Sequence, residues 1–402
     1  MSARGLRLAL FTDTFAPQVN GVSRTLERLV AAVESRGGAV HVETVDAPGA
    51  VADPRVHRAG SVPFWAYPQL RIAAPSARAA VERLRRFAPT LVHATTPFGV
   101  GLTGRRAALR MGVPFVTSYH TSFSAYLAHY GLSALDGVAW PYLRWFHDSG
   151  RRTFVPSRAV RDELARRGFR GLRLWSRGVD AARFSPVHRS RAMRARMGAH
   201  DGTFVVAYVG RLAPEKGVHR ALEAMRLVLA RHPGAVRFVL AGDGPDEARC
   251  RAEAPEGTWF AGALHGEALS QFYASADAFL FPSRTETFGN VVLEAMASGL
   301  PVVAPDTGAT LECAHEGTAL TFPGDDPHAM AGRIEWLLRD HRLRHQLRMA
   351  GIAAAEARAW DGVWDRLLAD YREAIAQPAP AAPAADVPVD EAPVGPPPAR
   401  AA

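Results

Sequence analysis

Short apolar runs alternate with helical patterns along most of the chain, and this alternation limits the fold more than any other feature of the sequence. Apolar runs predict strands at 6–11, 39–45, 91–94, 114–118, 153–157, 172–175, 204–209, 236–240, 259–260, 277–282, 302–304 and 320–322. Amphipathic segments predict helices near 22–35, 76–87, 100–110 and 267–274, and again from about 290 and over 327–376. Strands that alternate with helices in this way form open parallel sheets with helices on both faces. The sequence therefore predicts an α/β protein with two doubly wound, Rossmann-like parallel-sheet domains.

Composition excludes several classes of protein. Hydrophobic residues make up 48% of the 402 residues and charged residues 22%, which is typical of globular domains. Two cysteines, Cys250 and Cys313, indicate neither a disulfide framework nor a zinc site. No apolar run approaches the roughly 18 residues of a membrane span, and Asp13 interrupts the apolar start too early for a signal peptide. We therefore expect a cytoplasmic protein. Residues 377–402 contain eight prolines and nine alanines, and we expect them to form a disordered tail.

Charge is distributed unevenly between the two halves. Residues 1–200 contain 30 arginines against 12 acidic residues, whereas the whole chain has a net charge of only +9. A basic half suggests contact with an anionic surface, either lipid or nucleic acid. No known nucleic-acid-binding module is visible, so we expect no nucleic-acid partner. The candidate membrane surface comprises the arginines of the helix at 76–87, the aromatic segment 63–68 and the arginines between 151 and 196. The alternative is an ordinary surface helix that packs its apolar stripe on the sheet.

Two glutamates, Glu286 and Glu294, stand eight positions apart in the segment 284–301. The first falls in a loop that follows a predicted strand, and the second lies inside the next helix, which ends at Gly299 before Pro301. Phe288, Gly289, Asn290 and Val291 lie at the start of that helix. Free N–H groups and the helix dipole favour a bound anion there, such as a pyrophosphate, with one carboxylate available on either side.

This segment resembles the Glu-x7-Glu motif of the retaining glycosyltransferases of family 4, which have the GT-B fold. The loop at 12–22, with the pattern Thr-Asp-Thr-Phe-x-Pro-x-Val-Asn-Gly-Val, and the segment Ser-Tyr-His-Thr at 118–121 resemble one branch of that family. The branch includes mannosyltransferases and glycolipid synthases. The resemblance covers about residues 5–375 and implies two domains that face a central cleft. It implies an acceptor-binding domain at 1–178, a nucleotide-sugar-binding domain at 179–359, and a last helix, 360–376, that crosses back to the first domain.

Lys216 is the single lysine among 48 basic residues. It lies five positions after Arg211, in a loop between a predicted strand and helix, so that both side chains can reach one anion. Arginine clamps phosphate oxygens in a fork, whereas lysine supplies a compact charge on a flexible stem. We interpret the pair as the cations that stabilise a departing diphosphate, together with the helix start at Gly289. For that reason we expect no metal and no other cofactor.

The remaining site residues follow strands of the first half. Parallel strands end at one edge of a sheet, where ligands bind. We therefore expect five residues near the ligand: Asp13, Asn20, Gly21, His93 and His120. The resemblance implies that His120 lies next to the donor sugar. We assign His120, Arg211, Lys216 and Glu286 as catalytic, with Glu286 on sugar hydroxyls and Glu294 on the ribose. Asp13, Asn20 and Gly21 are assigned to the acceptor, and Gly21 also to the donor.

Together these expectations describe a retaining glycosyltransferase. It would move a hexose, mannose in the first place, from a nucleoside-diphosphate sugar to a lipid or glycan acceptor at the inner face of the cell membrane. One alternative is an epimerase of the same fold that acts on a sugar nucleotide without an acceptor. Another is a basic membrane- or nucleic-acid-binding protein with a vestigial sugar site, although the presence of Arg211, Lys216, Glu286 and Glu294 argues against it.

Overall fold

The fold was analysed in a computed structural model that describes residues 1–18, 20–64, 67–120, 136–284 and 288–378. Glu286, Trp65 of the aromatic segment and residues 379–402 of the predicted tail lie outside the described residues.

The first half of the chain forms a seven-stranded parallel sheet with the strand order β3-β2-β1-β6-β7-β8-β9. Its strands are β1 (Arg7–Phe11), β2 (Ala39–Val45), β3 (Val56–Ala59), β6 (Leu91–Ala94), β7 (Phe115–Ser118), β8 (Thr153–Val155) and β9 (Leu172–Leu174). The helices of this half are α1 (Gly21–Ser35), α2 (Ala77–Phe87), α3 (Gly99–Met111), α4 (Asp136–Asp148) and α5 (Arg158–Arg166). Strands β1 and β6 are neighbours, with Leu8 opposite Leu91, and the strand order reverses between them.

The second half forms a six-stranded parallel sheet with the order β12-β11-β10-β13-β14-β15. Its strands are β10 (Phe204–Val209), β11 (Val236–Ala241), β12 (Trp259–Phe260), β13 (Ala278–Leu280), β14 (Val302–Pro305) and β15 (Leu320–Phe322). Its helices, with those that end the chain, are α6 (Arg191–Arg196), α7 (Val218–Arg231), α8 (Glu247–Glu253), α9 (Gly266–Ser275), α10 (Asn290–Ala297), α11 (Pro327–Arg339), α12 (His341–Glu356) and α13 (Trp360–Ala376). The two sheets confirm the predicted α/β architecture of two doubly wound domains.

Each sheet is buried on both faces, which explains why its strands are continuous apolar runs rather than alternating ones. In β1, Leu8 and Leu10 face one apolar cluster, while Ala9 and Phe11 face another. In β10, all six residues are buried. Such runs are the strongest strand signal in a sequence, so most predicted strands agree with the observed ones to within two residues.

The last helix, α13, packs against the first sheet. Trp364 and Tyr371 belong to the same apolar cluster as β1, and the hydroxyl of Tyr371 lies 2.7 Å from Nδ1 of His93. At the crossing, Val179 pairs with Ala359 in a parallel bridge, so the two segments that join the halves run side by side. The exact boundaries at 178 and 359 stay predictions.

Three corrections concern the first half. His93 was expected near the ligand, but it lies inside β6, fully buried between Tyr371 and the hydroxyl of Ser118. The antiparallel hairpin of β4 (Val62–Phe64) and β5 (Tyr67–Ile72) was not predicted, because prolines at 63 and 68 disfavour a strand assignment. Helix α4 was missed for a similar reason, since Pro141 lies within it.

Helix α2 buries Ala80, Val81 and Leu84 against the sheet, as the alternative interpretation had it. Arg83 is not available to a membrane surface, because its guanidinium forms hydrogen bonds of 2.8 and 2.9 Å with the carboxylate of Glu43. Glu43 is buried, and burial opposes its ionisation. Hydrogen bonds from His41 and Arg83 nevertheless hold its pKa below the usual value. Arg85 and Arg86 are exposed. None of the described helices is long and apolar enough to cross a membrane.

Candidate active site

The two predicted donor-binding segments meet at one edge of the second sheet. Strands β10 and β13 are neighbours where the strand order reverses, and open α/β sheets bind ligands at such a point. The loop after β10 carries Arg211 and Lys216, and the segment after β13 leads into helix α10. This arrangement follows from topology, because every strand of the sheet ends at the same edge.

Close backbone packing fixes the two segments against each other. Gly217, which ends the short helical turn Pro214–Lys216, has a left-handed φ of 68°. A Cβ atom at this position would lie 3.0 Å from the carbonyl oxygen of Pro282. Only glycine allows both the backbone angle and this approach. The partly buried side chain of Lys216 is therefore placed beside the segment that precedes helix α10.

Helix α10 begins as the sequence predicts. Gly289 has a left-handed φ of 84° and precedes Asn290, the first helical residue, while the side chain of Phe288 is buried. The amides of the first turn, Asn290 and Val291 among them, have no acceptor within the helix. The Oδ1 atom of Asn290 is also buried without a partner among the described residues. The N–H groups at the helix start that lack an acceptor within the helix suit an anion at the switch point. The Oδ1 atom of Asn290 is an acceptor and suits a donor group instead. Glu286 lies outside the described residues, so the structure places only one of the two motif glutamates.

Glu294 lies on helix α10, and charges from the first half act on its carboxylate. The hydroxyl of Tyr273, on helix α9, donates a hydrogen bond of 3.1 Å to its Oε2 atom. Burial raises the pKa of Glu294 above its ordinary value, and the Tyr273 hydrogen bond and nearby arginines oppose that rise. The carboxylate therefore accepts a hydrogen bond from one neutral donor and lies within the influence of positive charge.

The arginines that act on Glu294 come from outside the second sheet. Arg28 and Arg24 lie on helix α1 of the first half, and Arg183 lies in the crossing segment. Arg28 also stacks on the ring of Trp360, with its Cζ atom 5.0 Å from the ring centroid. Sequence reasoning missed all three. Since 47 of the 48 basic residues are arginine, no single arginine is conspicuous, and the contact joins segments far apart in the chain.

The loop after β1 is tightly built around its polar residues. Asp13 is buried and accepts hydrogen bonds from the Thr96 hydroxyl and from the backbone of Val100, at the start of helix α3. Burial raises the pKa of Asp13, and these hydrogen bonds oppose that shift. Asn20 caps helix α1: its Oδ1 accepts from Val22 and Ser23.

The Nδ2 atom of Asn20 donates to the Thr14 hydroxyl at 2.7 Å, so both ends of this amide have partners. Gly21 is exposed as the first residue of helix α1. Asp13 and Asn20 therefore shape the loop, and of the three residues Asn20 and Gly21 are exposed while Asp13 is buried. The acceptor role of all three stays a prediction.

His120 lies beyond the end of β7 and is 8% exposed. The Nη2 atom of Arg177 is 2.9 Å from its Nδ1 atom, and its ring packs edge-on against Trp175. Its Nε2 atom is buried without a partner among the described residues. Burial, with the charge of Arg177, holds the pKa of His120 well below its ordinary value, so the ring is neutral at pH 7. Arg177 was another residue that sequence reasoning did not single out.

Within the described ranges, no group of three or more His, Cys, Asp or Glu side chains is arranged to hold a metal ion.

Comparison with known proteins agrees with this geometry. Residues 203–340 match the family model described as "Glycosyl transferases group 1", and residues 19–183 match "Glycosyltransferase Family 4". A GDP-mannose-dependent alpha-mannosyltransferase of Mycobacterium tuberculosis is 36% identical over 376 residues, which cover 91% of this chain and 96% of that protein. The sulfoquinovosyl transferase of Arabidopsis thaliana is 34% identical and the match covers 88% of this chain and 71% of that protein.

Solved structures show the same fold. The sucrose-phosphate synthase of Thermosynechococcus elongatus has a TM-score of 0.72 at 20% identity, covering 91% of this chain and 98% of that one. The HepE protein of Anabaena, solved in complex with UDP and glucose, also has a TM-score of 0.72 at 20% identity, covering 92% and 99%. Two facing parallel-sheet domains of this kind define the GT-B class of glycosyltransferases. Within that class, the chain belongs to glycosyltransferase family 4.

Proposed function

We propose that this glycosyltransferase transfers a mannosyl residue from GDP-mannose to a lipid or glycolipid acceptor, with retention of the anomeric configuration. The observation that carries the proposal is the switch point of the second sheet, where the end of the Arg211–Lys216 loop packs on the segment that leads to helix α10. The preference for mannose follows from the relatives: three GDP-mannose-dependent alpha-mannosyltransferases are 32–36% identical over most of the chain. Lipid acceptors are supported by the similarity to an alpha-monoglucosyldiacylglycerol synthase of Streptococcus pneumoniae, at 30% identity.

Departure of the nucleoside diphosphate is the step that the site is built to assist. Negative charge grows on the leaving phosphate as the anomeric bond breaks. Arg211, Lys216 and the amides at the start of helix α10 would stabilise that charge in a preorganised setting. These groups do what a divalent cation does in other transferases, so the reaction is proposed to need no metal.

The ribose and the sugar of the donor are assigned to different side chains. Glu294 would accept hydrogen bonds from the ribose hydroxyls, and Glu286 from the hydroxyls of the sugar. His120 would donate a hydrogen bond to the sugar from the opposite domain. No side chain is assigned as the base that deprotonates the acceptor; in this proposal the leaving phosphate oxygen accepts that proton as the acceptor attacks from the same face.

The acceptor is proposed to reach the cleft from a membrane surface at the inner face of the cell membrane, beside the first domain. Exposed arginines on helices α2 and α5 give this half its positive charge. They would attract the headgroups of anionic lipids at about 1 kcal/mol for each charge near the surface.

One assay tests donor, acceptor and metal dependence together. Purified protein is incubated with GDP-mannose, UDP-glucose or UDP-sulfoquinovose and with vesicles that contain diacylglycerol or a monoglycosylated lipid, in the presence or absence of EDTA. We expect mannolipid from GDP-mannose, an α-anomeric product by NMR and no effect of EDTA. A preference for a uridine donor would correct the sugar, and loss of activity in EDTA would correct the metal-free mechanism.

A further inference from the structure

Arg177 is a buried cation whose charge is not neutralised by any carboxylate among the residues that the structure describes. It is 5% exposed and lies in the segment that joins the two halves, one residue before Gly178. Gly178 packs so closely on Trp360 that a Cβ atom would lie 2.7 Å from that ring. The backbone at Arg177 is therefore fixed by the interdomain crossing, and the side chain extends to His120.

The hydrogen bond between Arg177 and His120 determines which ring nitrogen carries the proton. A guanidinium has N–H donors and no acceptor, so in the contact of 2.9 Å Arg177 must donate and Nδ1 of His120 must accept. A neutral imidazole that accepts at Nδ1 carries its hydrogen on Nε2. That Nε2 atom is buried and has no partner among the described residues.

None of the charged or titratable groups that face His120 in the described parts of the chain is a carboxylate that would favour its protonation. They are His93 in β6 and His147 on helix α4, in addition to Arg177. Burial lowers the pKa of both His93 and His147 to about 3, so both are neutral near pH 7. A proton added to His120 would have to occupy Nδ1, where the donor of Arg177 already points.

We propose that Arg177 is a positioning residue that locks His120 as a neutral imidazole with its hydrogen on Nε2. His120 then acts in the reaction as a fixed hydrogen-bond donor, and neither as a general base nor as a general acid. Resting on the proposed function, the acceptor of this hydrogen bond is an oxygen of the donor sugar. Arg177 contacts His120 and not the reacting atoms, so its effect on turnover is indirect.

The first test reads the tautomer directly and needs no activity. Protein labelled with ¹⁵N-histidine is studied by long-range ¹H–¹⁵N NMR between pH 5.5 and 8, and the His120 signals are assigned by their loss in His120→Gln. We expect an Nε2–H tautomer that does not titrate in this range. If His120 of the unaltered protein carries its hydrogen on Nδ1, or titrates near the ordinary pKa of histidine, the proposal is overturned.

Variants of Arg177 then test the cause. In Arg177→Met, the donor to Nδ1 and the positive charge are both lost, so the pKa of His120 should rise and an Nδ1–H tautomer should become populated. Arg177→Lys keeps a donor with no acceptor and should preserve the tautomer. The matched control is Arg173→Met, which removes an exposed arginine of β9 whose Nε atom lies 3.7 Å from Oδ1 of Asp370. This control should change neither the tautomer nor the pKa of His120.

Turnover should follow the same pattern if the proposed function is correct. We expect kcat of Arg177→Met to fall by about 10²-fold, the scale of a misplaced catalytic group, with a new loss of activity on the acidic side. Arg177→Lys should retain most of the kcat of the unaltered enzyme. An unchanged tautomer and pH profile in a folded Arg177→Met protein would refute the positioning role. A correct tautomer in a protein that transfers no sugar would instead refute the proposed function and leave this inference intact.

Discussion

The hydroxyl of Tyr273 donates a hydrogen bond of 3.1 Å to the carboxylate of Glu294, and this contact joins the helix before β13 to the helix after it. Tyr273 is fully buried. The pair therefore sets both the position of Glu294 and the pH range in which it is ionised.

Tyr273→Phe is expected to weaken binding of GDP about tenfold at pH 7, because a hydrogen bond to a charged group is worth roughly 1.5–3 kcal/mol. The pKa of Glu294 is already raised by burial, and loss of the Tyr273 donor should raise it further. Affinity that depends on the carboxylate is present above that pKa and is lost as the pH falls through it. Calorimetry from pH 5 to 8 should therefore show the decline beginning at a higher pH in Tyr273→Phe than in the unaltered protein.

Tyr371→Phe is the control for that experiment, since it removes another buried tyrosine hydroxyl, the one that contacts His93. The affinity of Tyr371→Phe for GDP should be unchanged.

Glu294→Gln should weaken GDP binding at every pH, whereas Glu286→Gln should chiefly reduce turnover of the sugar donor. Equal losses of GDP affinity in the two glutamine variants would show that the ribose and sugar assignments are wrong.

Lys216→Arg is expected to lower the rate by about 10²-fold or more although the charge is kept, which is the typical cost of losing one preorganised charge contact. The residue lies next to Gly217, whose backbone touches Pro282, so a wide planar guanidinium has little room to replace a compact ammonium. Arg220→Lys, at an exposed position on helix α7, is the control for the exchange itself. A rate for Lys216→Arg within about threefold of the unaltered enzyme would show that the site does not specifically require a lysine.

Gly217→Ala tests the close approach of the two donor-binding segments. A left-handed φ costs an L-residue about 1–2 kcal/mol, and the added Cβ would also press on the carbonyl of Pro282. Gly202→Ala is the matched control, because Gly202 has a φ of 86° and nothing within 4 Å of the added atom. Both variants should lose stability in chemical denaturation. Only Gly217→Ala should also raise the KM for the donor, and equal kinetics in the two would mean that the contact does not position the site.

Sequence reasoning was strongest where one short segment contains the whole signal. Buried parallel strands appear as apolar runs, and the start of helix α10 is marked by Gly289 and the break before it by Pro282. The switch points could also be predicted from the sequence, since alternation of strands and helices fixes which ends of the strands meet. Contacts between residues from distant segments could not be predicted in this way. Nothing near Arg177 in the chain indicates that it meets His120. The charge of Arg28 acts on Glu294 because of how the two halves face each other, and the contact of Glu294 with Tyr273 depends on the packing of two helices of the second half.

Glu312, in the second half, forms a contact with the first half. Its carboxylate accepts hydrogen bonds from the backbone of Arg158 and Ala159, at the start of helix α5 in the first half. A carboxylate at a helix N-terminus typically contributes about 0.3–1 kcal/mol. Glu312→Ala should therefore favour more open arrangements of the domains, seen as a larger radius of gyration in X-ray scattering without donor. Glu316→Ala, an exposed neighbour, should leave the radius unchanged. The same radius in both would show that this contact does not hold the cleft.

Helix α2 contributes exposed arginines to the candidate membrane surface. Arg85 and Arg86 are exposed, and the Arg78 side chain is 89% exposed, whereas Arg83 is engaged with the buried Glu43. Arg85→Gln with Arg86→Gln should weaken binding to anionic phosphatidylglycerol vesicles at low salt by about 2 kcal/mol, roughly 30-fold. High salt should release the unaltered protein, because exposed charges are screened over about 10 Å at 0.1 M ionic strength. Arg249→Gln with Arg251→Gln removes two exposed arginines from the second half and is the charge-matched control. If co-sedimentation is absent at low salt, or falls equally in both double variants, this helix is not the docking surface. A soluble acceptor would then be the better hypothesis.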